Sequence, residues 1–143
     1  KVKQYESFNI GTVRIREGKV KDSEEQRMKK WLKELKKETS DEFQAIGTGG
    51  NIVKINQLSG VKTNEFNHYK DFQSTLKMIK SMSKHDRVYE LKLNPDRAEV
   101  IEYAGDIVWN ILKICNIQEI MAPNVGLRDG IIRDLWNNYY ESK

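Results

Sequence analysis

Ala45-Ile46-Gly47-Thr48-Gly49-Gly50-Asn51-Ile52-Val53 is the stretch on which the fold turns. Phe43 to Ile46 reads as a short strand, which the glycines then interrupt. Ile52, Val53, Ile55 and Leu58 follow at helical spacing, up to Gly60 as a natural C′ residue. A strand that passes through glycines into a helix presents backbone N–H groups and the positive end of a helix to whatever sits there. Phosphate is the natural guest. Glycine also lets the backbone come close to a ligand and take positive φ without steric cost. The loop is not a Walker A motif, because Lys54 does not directly follow the last glycine, and it is not G-x-G-x-x-G. A tight strand-to-helix turn with no ligand is the competing reading of this stretch.

Working towards the N-terminus, Met28, Trp31, Leu32 and Leu35 mark one face of an amphipathic helix. Asp22 or Ser23 caps it, and Glu24 and Glu25 favour its first turn. Its other face, with Lys29, Lys30, Lys33, Lys36 and Lys37, reads as a solvated surface or as a basic wall beside an anionic substrate. Thr12–Arg16 suits a short strand or a helical turn, and the alternation over Val2–Asn9 predicts a strand. The open edge of that strand predicts pairing with another copy.

Working towards the C-terminus, Tyr69, Phe72, Leu76, Ile79 and Met82 predict a helix, and Ser83 caps a short one holding Arg87 and Tyr89. Asn94-Pro95-Asp96 opens a helix that runs to about Cys115, apolar on two faces and therefore buried. Gln118–Ala122 is a brief strand, followed by Gly126-Leu127-Arg128-Asp129-Gly130 and a last helix bearing Ile131, Ile132, Leu135 and Trp136. The order predicts an α/β domain, with helices flanking a mixed sheet. The sheet is short of strands for its helices, and the chain opens on Lys1 within a strand-like pattern. Both features predict a domain truncated at its N-terminus.

With 143 residues, a formal charge of +4, 38% hydrophobic and 32% charged residues, one domain over 1–143 with a real core is expected. The single Cys115 excludes a disulfide framework, and His68 and His85 stand in no metal-ligand spacing. No apolar run approaches the roughly 20 residues of a membrane span, and no signal peptide opens the chain, so a cytoplasmic location without membrane attachment is expected. A nucleic-acid-binding reading rests only on the charge and the lysine helix, without interleaved aromatics, so no specific nucleic acid is expected as a partner.

The second glycine loop repeats the layout of the first. Arg128 there suits bidentate contact with phosphate, or pairing with Asp129 or Asp134. Arg87 and Arg97 are similar candidates, with ion pairing the favoured reading for each. No Ser-His-Asp order, no H-E-x-x-H and no carboxylate cluster of metal spacing can be read.

Four stretches occur in order: Ala45–Asn51, Ser83-Lys84-His85-Asp86-Arg87, Leu93-Asn94-Pro95-Asp96-Arg97-Ala98-Glu99-Val100-Ile101, and Val125–Gly130. Together they resemble the second domain of the exopolyphosphatase / guanosine pentaphosphate phosphatase (Ppx/GppA) family over essentially the whole chain. The pairing of P-D-R-A-E-V-I with a terminal G-L-R-D-G-I is the specific part of the likeness, and the glycine loop alone is not specific. Lys84 and His85 stand where the family often has acids.

The resemblance implies a ribonuclease-H-like domain of the actin-like, sugar-kinase-like ATPase superfamily, the C-terminal half of a two-domain phosphatase. It implies hydrolysis of a terminal phosphoanhydride of polyphosphate or pppGpp, with Mg²⁺ whose ligands lie outside this chain. The family's D-x-G-S-N loop and catalytic glutamate belong to the first domain, and its D-x-G-G-G-S loop precedes the region matched here. No catalytic residue is therefore expected in this chain. The implied phosphate- or nucleotide-binding residues are Gly47, Thr48, Gly49, Gly50, Asn51, Gly126, Leu127 and Arg128. The implied partners are polyphosphate or a guanosine polyphosphate, the missing N-terminal domain, and a second copy in a homodimer. The alternative reading is a sensor that binds ppGpp or polyphosphate without turnover.

Overall fold

The computed structural model describes residues 2–38 and 42–141. Its elements run α1 (Thr12–Arg16), α2 (Asp22–Glu38), β1 (Ala45–Ile46), α3 (Gly50–Leu58), β2 (Phe66–His68), α4 (Tyr69–Ser81), α5 (Lys84–Tyr89), α6 (Pro95–Cys115), β3 (Glu119–Met121) and α7 (Leu127–Glu141). The three strands lie in the order β1-β3-β2. β1 runs parallel to β3 with Ala45 opposite Ile120, and β2 runs antiparallel to β3 with Asn67 opposite Ile120. This is the mixed sheet with flanking helices that the sequence order predicts.

α6 is the spine. Asn94 accepts a hydrogen bond from the Arg97 N–H, Pro95 opens the helix, and Asn116 in the left-handed region closes it. Ala98, Ile101, Ala104, Gly105, Leu112 and Cys115 on it are buried, and helices α1 to α5 pack around it or its neighbours. A β-carbon at Gly105 would fall 2.3 Å from Leu76 Cδ1, so this glycine lets α4 approach α6. Phe72, Ile79, Ile55 and Ile120 complete a core from which water is excluded. The Ser83–Asp86 capping box starts α5 where the sequence places it.

No strand forms over residues 2–9, which corrects the reading of that alternation. Val2 and Tyr5 are 75% and 88% exposed. A strand needs a neighbour to take its N–H and C=O groups, and this segment lies on α2 instead. The Asn9 N–H donates to Glu24 Oε2 (2.9 Å), Arg27 Nη2 donates to the Ser7 carbonyl (2.6 Å), and Phe8 meets Trp31 edge-on. Strand addition through this segment loses its basis with the strand. Thr12–Arg16, left open as strand or turn, is helical. β2 carries only three residues, too few for a period-2 pattern to be read. Among the described residues no helix is long and apolar enough to cross a membrane.

Candidate functional site

Both glycine loops leave the sheet side by side. β1 and β3 are parallel neighbours, so the chain exits both at their carboxyl ends, then turns into α3 and α7. In α/β sheets this is where ligands are held. A cleft of about 380 Å³ opens there, lined by Gly49, Gly50 and Val53 on one side and by Asn124 to Asp129 on the other.

The expected residues divide into two groups. Gly49, Gly50, Gly126, Leu127 and Arg128 line the cleft together. Gly47, Thr48 and Asn51 are not among its lining residues. Gly47 has a packing role: its N–H donates to the Met121 carbonyl, and a β-carbon there would stand 2.9 Å from Ile52 Cγ2. Thr48 is exposed and Asn51 half-buried at the start of α3.

Gly49 is the N-cap of α3 at φ 117° and ψ 143°, a conformation that only glycine adopts readily, and it offers no capping side chain. Its carbonyl accepts from the Ile52 and Val53 N–H groups. The N–H groups of Gly50 and Asn51 have no acceptor among the described residues, as expected of an uncapped first turn. They stand free for an anion.

Arg97 supplies the charge. It is half-buried at the start of α6, and its side chain crosses to the start of α3, where a β-carbon on Gly50 would lie 2.7 Å from Nη2. Among the described residues its guanidinium forms no ion pair, contrary to the favoured sequence reading. The sequence signal was present in N-P-D-R, but only the fold brings that arginine to Gly50. Arg87 does follow the ion-pair reading. It is buried, and it donates from Nε to the Ile79 carbonyl (2.9 Å), from Nη1 to the Ala98 carbonyl (3.1 Å) and from Nη2 to Glu102 Oε2 (2.9 Å). Those bonds occupy it structurally.

The far wall has a different character. Asp129 Oδ2 accepts from the Gly126 N–H at 2.8 Å and so caps α7 with its own carboxylate. Arg128 forms no ion pair with Asp129 or Asp134, and its side chain is exposed. Arg97 is not itself among the lining residues but stands beside Gly50 at the α3 side of the cleft, whereas the α7 side carries one arginine and one carboxylate. Asn124, Val125 and Asp129 also line the cleft, and of these Val125 and Asp129 stand within the Val125–Gly130 stretch already singled out, although neither was named as a binding residue.

Among the described residues no three His, Cys, Asp or Glu side chains come together as a metal site. Asp129 alone among the lining residues is a carboxylate. The donor set does not by itself fit a Mg²⁺ site. His68 caps α4 by accepting from the Lys70 N–H, and exposed His85 lies against Asp86 and Tyr89, so neither faces the cleft.

A small mixed sheet flanked by helices, with glycine loops at the carboxyl ends of its two parallel strands, matches one half of the solved Ppx/GppA structures, which have the actin-like fold. The chain belongs to the Ppx/GppA phosphatase family, whose model matches residues 1–139. A Cytophaga hutchinsonii exopolyphosphatase structure is similar over 96% of this chain and 51% of its own, with a TM-score of 0.74 and 17% identity. The Ppx/GppA family member of Aquifex aeolicus is similar over 96% of this chain and 50% of its own, with a TM-score of 0.73 and 21% identity. A type II variant of the Aquifex aeolicus Ppx/GppA phosphatase gives a TM-score of 0.70 at 22% identity, over 92% of this chain and 49% of its own. The chain thus spans about half the length of these solved relatives. No curated protein matches the chain.

Proposed function

We propose that this chain forms the phosphate-gripping wall of a cleft that hydrolyses a terminal phosphoanhydride, with polyphosphate or pppGpp as substrate and Mg²⁺ supplied to the cleft from outside this chain. The observation that carries the reading is the unpaired Arg97 guanidinium set against Gly50, beside the free N–H groups of the first turn of α3. A guanidinium and backbone donors converging at one helix terminus match the equatorial oxygens of a phosphoryl group. In a dry cleft they stabilise charge that spreads over those oxygens as water attacks phosphorus and the bridging oxygen departs with its electron pair. Asp129 is the one carboxylate among the lining residues and is already engaged by the Gly126 N–H. The base that takes the proton of the attacking water is therefore assigned to another part of the protein, which the family resemblance also implies.

The test is titration of the 143-residue chain with tripolyphosphate, followed by amide NMR shifts. Shifts centred on Gly49–Asn51 and Arg97, lost in Arg97→Ala, support the reading, and no phosphate release is expected from this chain alone. Undiminished binding by Arg97→Ala, or shifts confined to the lysine face of α2, would overturn it.

A further inference from the structure

Another cavity, of about 170 Å³, opens where α6 ends and β3 begins. The cleft lies at the carboxyl end of β3 and this cavity at its amino end, so the strand separates the two. Tyr69 and Trp109, both half-buried, line it with rings 12° from parallel at a centroid distance of 6.1 Å. A flat ligand lying against one ring is therefore aligned with the other as well. Buried Leu112 and Ile117 complete its apolar part. Sites that enclose a whole drug-sized ligand run to roughly 300–1,000 Å³. This one takes a ring system and leaves the rest of the molecule outside.

The polar groups at its rim suit the edge of such a ring. Asn116 closes α6 in the left-handed region, and Gln118 Nε2 donates to its carbonyl (3.3 Å) and to its Oδ1 (3.4 Å). The Tyr69 N–H donates to the Gln118 carbonyl (2.8 Å), which ties the start of α4 to this rim. Those bonds orient both amides and leave Gln118 Oε1 as an acceptor and Asn116 Nδ2 as a donor. A hydrocarbon ring would leave both unpaired. A nucleobase satisfies them. Adenine offers a donor next to an acceptor on its Watson–Crick edge and again on its major-groove edge, whereas the major-groove edge of guanine carries two acceptors. Exposed Lys113 lines the same cavity and forms no ion pair among the described residues. A phosphate attached to the base would meet that cation at the mouth.

We propose that this cavity binds the base of an adenine nucleotide, stacked against Tyr69 and Trp109 and hydrogen-bonded to Asn116 and Gln118. It is a second ligand site, across β3 from the phosphate cleft, and it stands whatever the cleft hydrolyses.

The experiment titrates the 143-residue chain, whose own core is described above, with AMP, GMP and ribose 5-phosphate, followed by amide NMR shifts. AMP should shift Tyr69 and residues 109–118, GMP should bind at least ~5-fold more weakly, and ribose 5-phosphate should leave these amides in place. Trp109→Leu, checked for folding by a thermal melt, should weaken AMP binding at least ~10-fold. Gln118→Ala, at an exposed position that spares the core, should erase the preference for AMP over GMP. Arg97→Ala should leave AMP binding unchanged, which separates this site from the cleft. Shifts centred on Gly49–Asn51 and lost in Arg97→Ala would overturn the proposal, as would AMP binding undiminished in Trp109→Leu or in Gln118→Ala. An equal response to ribose 5-phosphate would reduce the site to attraction of phosphate by Lys113, and GMP binding as tight as that of AMP would overturn the assignment of adenine.

Discussion

Arg97 lies so close to Gly50 that a β-carbon there would stand 2.7 Å from its Nη2 and 3.5 Å from its Cζ. Nothing else crowds the position. Gly50→Ala therefore displaces the tip of a flexible side chain and nothing rigid, and alanine suits a helix start better than glycine does. The fold should be kept, with unfolding free energy within about 1 kcal/mol of wild type. Tripolyphosphate affinity should fall at least ~10-fold, about 1.4 kcal/mol, because the guanidinium leaves the mouth of α3. Calorimetric titration beside a thermal melt reads both quantities. Unchanged affinity would mean that Arg97 does not grip the anion.

Gly49 is the opposite case. A β-carbon there meets nothing within 4 Å, so space is not the constraint. The constraint is φ, at 117°. Gly49→Ala should lose about 1–3 kcal/mol of stability through backbone strain alone, measured by urea denaturation. The two neighbouring glycines should thus separate: alanine at 50 spares the fold and weakens binding, and alanine at 49 weakens the fold.

The sequence made the loops legible because strand, glycines and helix are local features, and it made α6 legible through Asn94-Pro95 and its two apolar faces. It also supplied the family. The meeting of Gly50 with Gly126 was not legible, since it follows from β1 lying parallel beside β3, a pairing between residues 75 positions apart (Ala45 and Ile120). The division between Arg87 and Arg97 was equally hidden. Both lie near helix starts among acids, yet only Arg87 points inward to two carbonyls and Glu102. The Val2–Asn9 strand failed for a related reason, because alternation describes a strand's faces and says nothing about whether an edge is available to pair with it.

Arg87 binds three helices at one point: from α5 it reaches the Ile79 carbonyl on α4 and the Ala98 carbonyl and Glu102 on α6. Arg87→Ala strands a part-buried carboxylate and removes one donor from each of two helix carbonyls, of which that of Ile79 keeps the Met82 N–H, and breaking a buried pair from one side costs about 3–5 kcal/mol. Glu102→Ala leaves Arg87 its two carbonyl bonds and should cost less. In the double variant Arg87→Ala/Glu102→Ala, the loss should be smaller than the sum of the two single losses. Strict additivity in denaturant melts would show that the two side chains do not act as a pair.

Acid should loosen the fold through its exposed carboxylates. Lys19 holds the Glu17 carboxyl below its ordinary range, Arg27 and the Asn9 N–H do so for Glu24, the Ser83 hydroxyl followed by His85 for Asp86, and Lys84 for Glu99. Each group therefore takes up its proton at lower pH in the folded chain than in the unfolded one. Between the two values the unfolded state binds more protons, so stability is lost as pH falls. Above the ordinary carboxylate value of 4.5 for glutamate these contributions are fully present, and they fade as pH drops through the lower folded values. Urea midpoints should be level between pH 7 and 5.5 on account of these groups and decline below that. Glu99→Gln, which removes the partner of Lys84 and Arg16, should make the decline shallower. Because the groups are exposed, about 0.5 M salt should flatten it as well. A decline of the same steepness in Glu99→Gln and in high salt would show that these surface pairs do not set the acid limit of the fold.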